Sequence, residues 1–216
     1  MNIVLHQFWR SSASWRVRWA LLIKGIRFES VTHDLLTREH EAPEYRALSP
    51  LTYVPTLVVD GRVLGESVAI LDLVESLFPE PPLFPSDPWA RARVRQVMEL
   101  INSGIQPFQS PYVKRRHAGE DVAAQTEWAR HFNVRGLDAL ATLLDQIDRE
   151  AGSTGRFAVG DTLTAADLFL VPQLHHARGL GIDVEKWPRL VAAEIAALAT
   201  DRAPAARPEV QPGAPA

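Results

Sequence analysis

The chain has 216 residues, 46% of them hydrophobic and 23% charged, with a net charge of −3 and no cysteine. That balance offers no basic excess for a phosphate backbone, and no uncharged apolar run is long enough to cross a bilayer. Without cysteine there is no disulfide, thiolate metal site, iron–sulfur cluster or cysteine nucleophile, so any thiol chemistry needs a thiol carried by a ligand.

In chain order, residues 2–7 and 27–32 are β-prone, and a helical stretch over 12–24 separates them. Gly25 stands where a helix C-cap belongs. Residues 39–48 read as a short helix. Residues 56–59 and 62–64 flank Asp60-Gly61, a two-residue hairpin signal, and helical spacing returns over 67–77. Pro79, Pro81, Pro82, Pro85 and Pro88 then rule out a continuing helix or central strand. Beyond them helices are expected over 89–109, 121–151, 165–178 and 188–198. The Ala- and Pro-rich end shows no apolar period and is expected to be a disordered or extended tail. The reading is therefore an α/β domain over 1–80 in the order β-α-β-α-β-β-α, a linker over 81–88, an all-helical domain over 89–200, and a tail over 201–216.

Three features of the first domain could carry chemistry. Arg10-Ser11-Ser12-Ala13-Ser14-Trp15-Arg16-Val17-Arg18 falls at a strand-to-helix turn, where serines cap and free N–H groups face the preceding loop. Val54-Pro55-Thr56 places proline at a strand start; a cis bond there would turn the Val54 backbone outward, toward an extended peptide ligand. Glu66-Ser67 opens a helix, either as a plain cap or as a place to receive a ligand carboxylate. Elsewhere, His175-His176 are helix neighbours that do not face one site, so no metal centre is expected. Trp15 and Trp19, at i and i+4, read as core. No acid–base partner stands near the serines to suggest a hydrolase triad.

The order and spacing of these motifs resemble the zeta-class glutathione transferases, which include the maleylacetoacetate and maleylpyruvate isomerases. Gly104-Ile105-Gln106-Pro107 and Leu170-Val171-Pro172-Gln173 extend the likeness. Thr164-Ala165-Ala166-Asp167 is similar to the helix-capping segment common to these enzymes, and by its own physics is a structural helix start. The resemblance implies a thioredoxin-like domain holding glutathione as cofactor. Ser11 and Ser12 would face the thiol as the catalytic pair. Val54 beside a cis Pro55 would meet the cysteinyl part, and Glu66 and Ser67 the γ-glutamyl end. Arg16, His40, Gln106 and Ser110 are further implied glutathione contacts, with Arg10 and Arg16 for an acidic small-molecule substrate. It also implies a homodimer; cytoplasmic location is expected because no signal peptide is apparent.

Two departures from the family pattern stand out. Ala13 replaces a cysteine, and Gly179 stands where an arginine is usual, with Arg178 one residue earlier. Lowering a thiol pKa from about 8.5 to roughly 6.5 takes about 2.7 kcal/mol of preferential thiolate binding. A helix N-terminus at ~0.3–1, and up to ~2, with a charge-assisted hydrogen bond at about 1.5–3 kcal/mol, suffices without a protein cysteine. The expected function is a glutathione-dependent cis–trans isomerase. A transferase or peroxidase using the same thiolate, and a non-catalytic binding protein of this fold, are the alternatives.

Overall fold

The computed structural model describes residues 1–215 and divides into two compact units. One comprises Met1–Leu83 with the chain from Thr200 onward; the other is Phe84–Ala199.

The first unit is a four-stranded mixed sheet in the order β2-β1-β3-β4, from β1 (Ile3–Gln7), β2 (Glu29–Thr32), β3 (Thr56–Val59) and β4 (Arg62–Leu64). β1 pairs parallel with β2 and antiparallel with β3, and β3 pairs antiparallel with β4 around Asp60-Gly61. The two-residue period of β1 buries Ile3, Leu5 and Gln7 on one face and leaves Val4 and His6 half-buried on the other. α1 (Ser12–Ile23) lies on the first face, where Arg18 donates to Gln7 Oε1, and packs on α3 (Ser67–Leu77). Trp15, Val17, Trp19 and Leu21 of α1 and Ile70, Leu71 and Val74 of α3 are buried, and the two tryptophans stack as core. α2 (Pro43–Leu48) lies on the opposite face. There the Tyr45 ring meets those of His6 and His33, and its hydroxyl donates to Tyr53 O at 2.7 Å. The 39–48 segment is a 3-10 turn over Glu39–Glu41 followed by α2; Pro43, lacking an N–H, opens the second helix.

The prolines after α3 are held at both ends. Lys24 Nζ bonds Glu75 and the carbonyl oxygens of Pro79 and Pro81 (3.2 and 2.6 Å), and the Leu83 N–H donates to the Glu75 carboxylate. Phe84, the next residue, is also buried, beneath the Arg91 and Arg95 guanidinium groups.

The second unit is a helical bundle of α4 (Pro88–Gly104), α5 (Gln106–Gln109), α6 (Pro111–Ala118), α7 (Val122–Ala151), α8 (Ala165–Gly179) and α9 (Pro188–Leu198). The single helix expected over 89–109 is broken at Ile105, and α6 was not legible as a separate element. Pro107 and Pro111 each start a new first turn, where their missing N–H costs nothing. The break also lets α5 approach α7: a Cβ on Gly136 would stand 2.2 Å from Ile105 Cγ1. The amides of Gln109, Asn133 and Gln173 form a fully buried network there, with Asn133 Nδ2 donating to Gln109 Oε1 at 3.0 Å.

Residues 201–216 were expected to be a disordered or extended tail. Over the described part they instead fold onto the first unit, through α10 (Ala203–Ala206) and a 3-10 turn over Pro208–Val210. Ala203, Ala206 and Pro208 are buried, α10 packs on α1, and Gln211 Nε2 donates to the carbonyl oxygens of Ala205 and Arg207, both at 2.9 Å. The apolar period fails here because three small contacts, rather than a helical stripe, dock the segment.

Candidate active site

Strand register brings the three motifs of the first domain to one end of the sheet. β1 runs toward Gln7; β3 starts at Thr56 opposite His6, and β4 ends at Leu64 opposite Leu57. The segments carrying Ser11 and Ser12, Val54 and Pro55, and Glu66 and Ser67 therefore all leave the sheet at that end. β2 ends there too, with Thr32 beside Gln7 and the His33 N–H donating to Gln7 O at 2.8 Å, so the loop bearing His40 starts from the same place. Phe8, Tyr45 and Val54 form a buried apolar cluster that joins these segments.

The β1–α1 turn is closed by its own hydrogen bonds. The Ser11 N–H donates to Phe8 O at 3.1 Å, the Phe8 N–H to Ser14 Oγ at 3.4 Å, and the Ser14 N–H to Ser11 Oγ at 3.2 Å. Ser11 is thus the N-cap of α1, and its oxygen accepts while its hydroxyl proton stays free to donate. Ser12 is the first helical residue. The Ala13 N–H has no hydrogen-bond partner among the described residues, and the first turn of α1 holds no acidic side chain. Positive potential at this helix end is therefore not neutralised by the chain itself. Ser14, fully buried, is a turn residue that sequence reasoning passed over. Its spacing three after Ser11 was the available signal.

The Val54–Pro55 peptide bond is cis, and the Val54 N–H and C=O make no hydrogen bond among the described residues. Glu66 is exposed and has φ 63°, in the left-handed region that a non-glycine residue rarely adopts. It presents the start of α3, whose first turn also lacks an acidic residue, and Ser67 is buried there. His40 is half-buried, its Nε2 3.9 Å from Glu41, and burial lowers its pKa. Arg10 is exposed, 5.9 Å from the Trp9 ring centre.

One implied contact does not fit. Arg16 has no exposed surface, and its guanidinium donates to Ser67 Oγ at 3.3 Å. A group closed off from a water-sized probe does not touch substrate or glutathione; it stands behind Ser67 and orients it. The reason is packing: α1 is buried on every side from Ser14 to Leu21, so Arg16 has no open face.

Gln106 and Ser110 belong to the second unit. Gln106 opens α5 with its Oε1 buried and unpartnered among the described residues, and Ser110 caps α6 by accepting the Val113 N–H at 3.3 Å. Arg178 is engaged: it forms a bidentate pair with Glu194, both contacts at 2.6 Å. Thr164 and Asp167 form the expected capping box. Asp167 accepts the N–H groups of Ala158 and Thr164 at 2.8 Å each, and burial pushes its pKa up to about 6.

A helix start capped by a neutral serine with no acid in its first turn, a proline-preceded strand with free backbone at Val54 and a second helix start without a side-chain cap bond fit a glutathione-binding thioredoxin-like domain. Comparison with known proteins agrees. Residues 5–82 match the family model of the glutathione S-transferase N-terminal domain, and residues 116–193 that of its C-terminal domain. The chain is 40% identical to a probable maleylacetoacetate isomerase of Drosophila melanogaster, over 98% of this chain and 84% of that protein. The chain belongs to the maleylacetoacetate isomerase family of glutathione transferases. Among solved structures it is similar to the maleylacetoacetate isomerase of Anaeromyxobacter dehalogenans with dicarboxyethyl glutathione and citrate bound in the active site. That match has a TM-score of 0.86 and 42% identity over 99% of this chain and 94% of that one. It is also similar to a bacterial maleylpyruvate isomerase of the zeta class, with a TM-score of 0.92 and 34% identity over 98% of this chain and all of that one. The thioredoxin-like first unit and helical second unit are the architecture of this family.

Proposed function

We propose that the protein is a glutathione-dependent cis–trans isomerase of a small unsaturated dioxo acid, maleylacetoacetate or maleylpyruvate. The observation that carries the reading is the start of α1: a capped turn with one serine hydroxyl proton to give, an open Ala13 N–H, and no acid of its own. Glutathione bound along Val54 would bring its thiol there, with its γ-glutamyl carboxylate at the start of α3 by Glu66 and Ser67. Ser11, with Ser12 beside it, holds the sulfur as thiolate.

The thiolate adds to the cis double bond, so a C–S bond forms and the π electrons move onto the conjugated carbonyl oxygen as an enolate. Rotation about the resulting single bond follows. Collapse of the enolate breaks the C–S bond and returns the thiolate with the trans alkene. No proton or electron is consumed, and glutathione is regenerated. The adduct and citrate in the Anaeromyxobacter relative support an acidic substrate, for which Arg10 is the exposed cation of this turn. For Gln106 and Ser110 as glutathione contacts, for a homodimer and for a cytoplasmic place of action, the support is the family resemblance.

Ala13 and the engagement of Arg178 by Glu194 favour testing conjugation and peroxide reduction alongside isomerisation. Maleylacetone absorbance, followed with and without glutathione, decides. Loss of the cis form only with catalytic glutathione, and none consumed, is the expected result; it should largely vanish when Ser11 and Ser12 are both replaced by Ala. Consumption of glutathione would move the protein to the transferases, and retention on immobilised glutathione without turnover to the binding proteins.

A further inference from the structure

We propose that the C-terminal segment, residues 200–215, is a brace for the β1–α1 turn, acting through Arg18 and Trp9 as positioning residues. The starting observation is Arg18, 1% exposed in the middle of α1. Its hydrogen-bond acceptors are neutral: Nη1 donates to Gln7 Oε1 and Nε to the Ala206 carbonyl oxygen at 3.0 Å, while the Glu209 carboxylate of the same segment attracts its charge. Gln7, itself buried at the end of β1, passes the link on by donating from Nε2 to Ser30 Oγ of β2 at 2.6 Å. One side chain thus ties the last strand residue before the turn, the helix after it, and the C-terminal segment together. Burying a guanidinium against neutral acceptors is costly, and burial holds its pKa down to about 9. Such a group persists where its several directed bonds join elements that apolar packing alone would let slide.

The far end of the segment lies beside the turn. Gly213, at φ 86°, stands about one methyl group's width from it. A Cβ at that position would lie 3.6 Å from Trp9 Cδ1 and 3.8 Å from Thr32 Cγ2. Trp9 is the residue between Phe8, whose carbonyl and N–H close the turn, and Arg10, next to Ser11. The ring rests on the Phe8, Tyr45 and Val54 cluster from one side and faces Gly213 on another, with room for one Cβ between them. Between Ala206 and Gly213 the segment is stiffened by Gln211, which bonds back to Ala205 and Arg207. The turn that carries Ser11 is therefore held from β1, from α1 and from residues about two hundred positions away in sequence. That this bracing matters to a bound thiol rests on the function proposed above; the bracing itself does not.

The test separates the two. A chain ending at Gln211, which lacks Gly213 but keeps Ala206, is compared with the full chain by amide hydrogen exchange without ligand. Residues 8–15 should exchange faster by on the order of tenfold, with α3 unchanged. Gly213→Val, strained at its positive φ, should do the same. Unchanged protection of residues 8–15, or an equal loss throughout the first unit, would overturn the inference. With glutathione added, the thiolate absorbance of the bound thiol should titrate at higher pH in the shortened chain and in Trp9→Ala, with Trp9→Phe restoring it. If the full chain binds no glutathione, the functional reading fails while the exchange result still decides the brace.

Discussion

Helices α1 and α8 are both buried along most of their length, yet they begin under different electrostatic conditions. The N-terminus of α8 is answered from within the protein. Thr164 and Asp167 complete a capping box, and the Asp167 carboxylate also takes the Ala158 N–H. The N-terminus of α1 has one neutral cap, Ser11, no carboxylate in its first turn and an open Ala13 N–H. α3 repeats that pattern, with no side-chain cap bond from Glu66 and no acid in its first turn. A carboxylate at a helix start neutralises its positive end, whereas a start without one in its first turn leaves that end to a bound anion. The start of α8 is of the first kind and that of α1 of the second.

The largest effect that would break this contrast comes from Asp167. Asp167→Ala leaves the buried N–H groups of Ala158 and Thr164 without acceptors, at about 1–3 kcal/mol each, so a loss of roughly 2–6 kcal/mol is expected in denaturant unfolding. Its pH dependence has a definite sign. Burial raises the folded pKa of Asp167 from 3.8 to about 6, so its contribution is fully present below about 3.8 and is lost as pH rises through about 6. The deficit of the variant should thus be greatest near pH 4 and shrink toward neutrality. The first unit responds in the opposite sense. Burial lowers the pKa of His6, His33 and His40, so their contribution is present above the ordinary value of 6.5 and fades as pH falls below it. Amide exchange in the wild-type protein at pH 5 and pH 7 should show the first unit loosening in acid and the α8 start tightening; parallel behaviour of the two would contradict the contrast.

A smaller effect, on chemistry more than on stability, is expected at Ser11. Ser11→Ala removes the N-cap of α1, about 1 kcal/mol, together with the proposed donor to sulfur. A charge-assisted hydrogen bond of about 1.5–3 kcal/mol corresponds to a rise of about one to two units in the apparent pKa of bound glutathione, read from thiolate absorbance. Ser12 is the first helical residue and not the N-cap, so its replacement by Ala should cost less stability than Ser11→Ala. If Ser12→Ala shifts the thiol pKa and Ser11→Ala does not, the donor roles are exchanged.

Much of this contrast could be read before any coordinates. The serine-rich turn, Val54-Pro55, Glu66-Ser67 and the Thr164–Asp167 cap are local patterns, and local hydrogen bonding decides them. What escaped was non-local. The burial of Arg16 behind Ser67 depends on how α1 packs on α3, and two arginines two residues apart, Arg16 and Arg18, suggest a solvated face. The docking of residues 200–215 engages α1 and Arg18, nearly two hundred positions away. The break between α4 and α5 follows from Pro107 and from the room at Gly136, on a helix whose register with α5 the sequence does not state. The engagement of Arg178 by Glu194 joins α8 to α9 in the same way. Motif spacing reports which residues share a turn; it is silent on which side chains from distant turns meet.

The smallest predicted effect is also the sharpest, because its two readouts move in opposite directions. Ala13 is half-buried at the second helical position of α1, within the first turn and beside the serines proposed to hold the thiol. Ala13→Glu gives α1 what α8 already has, a carboxylate at its positive end. That interaction is worth typically 0.3–1 kcal/mol and should raise the unfolding free energy by that amount. The same charge competes with the thiolate for the same partial charges, so the pKa of bound glutathione should rise by about 0.2–0.7 units and isomerisation should slow near neutral pH. Ala13→Gln, with the same bulk and no charge, controls for steric exclusion of the ligand and should leave both quantities near the wild-type values. A variant stabilised with no change in thiol pKa would mean that the helix end of α1 is not what holds the sulfur, and that the serine hydroxyls act without it.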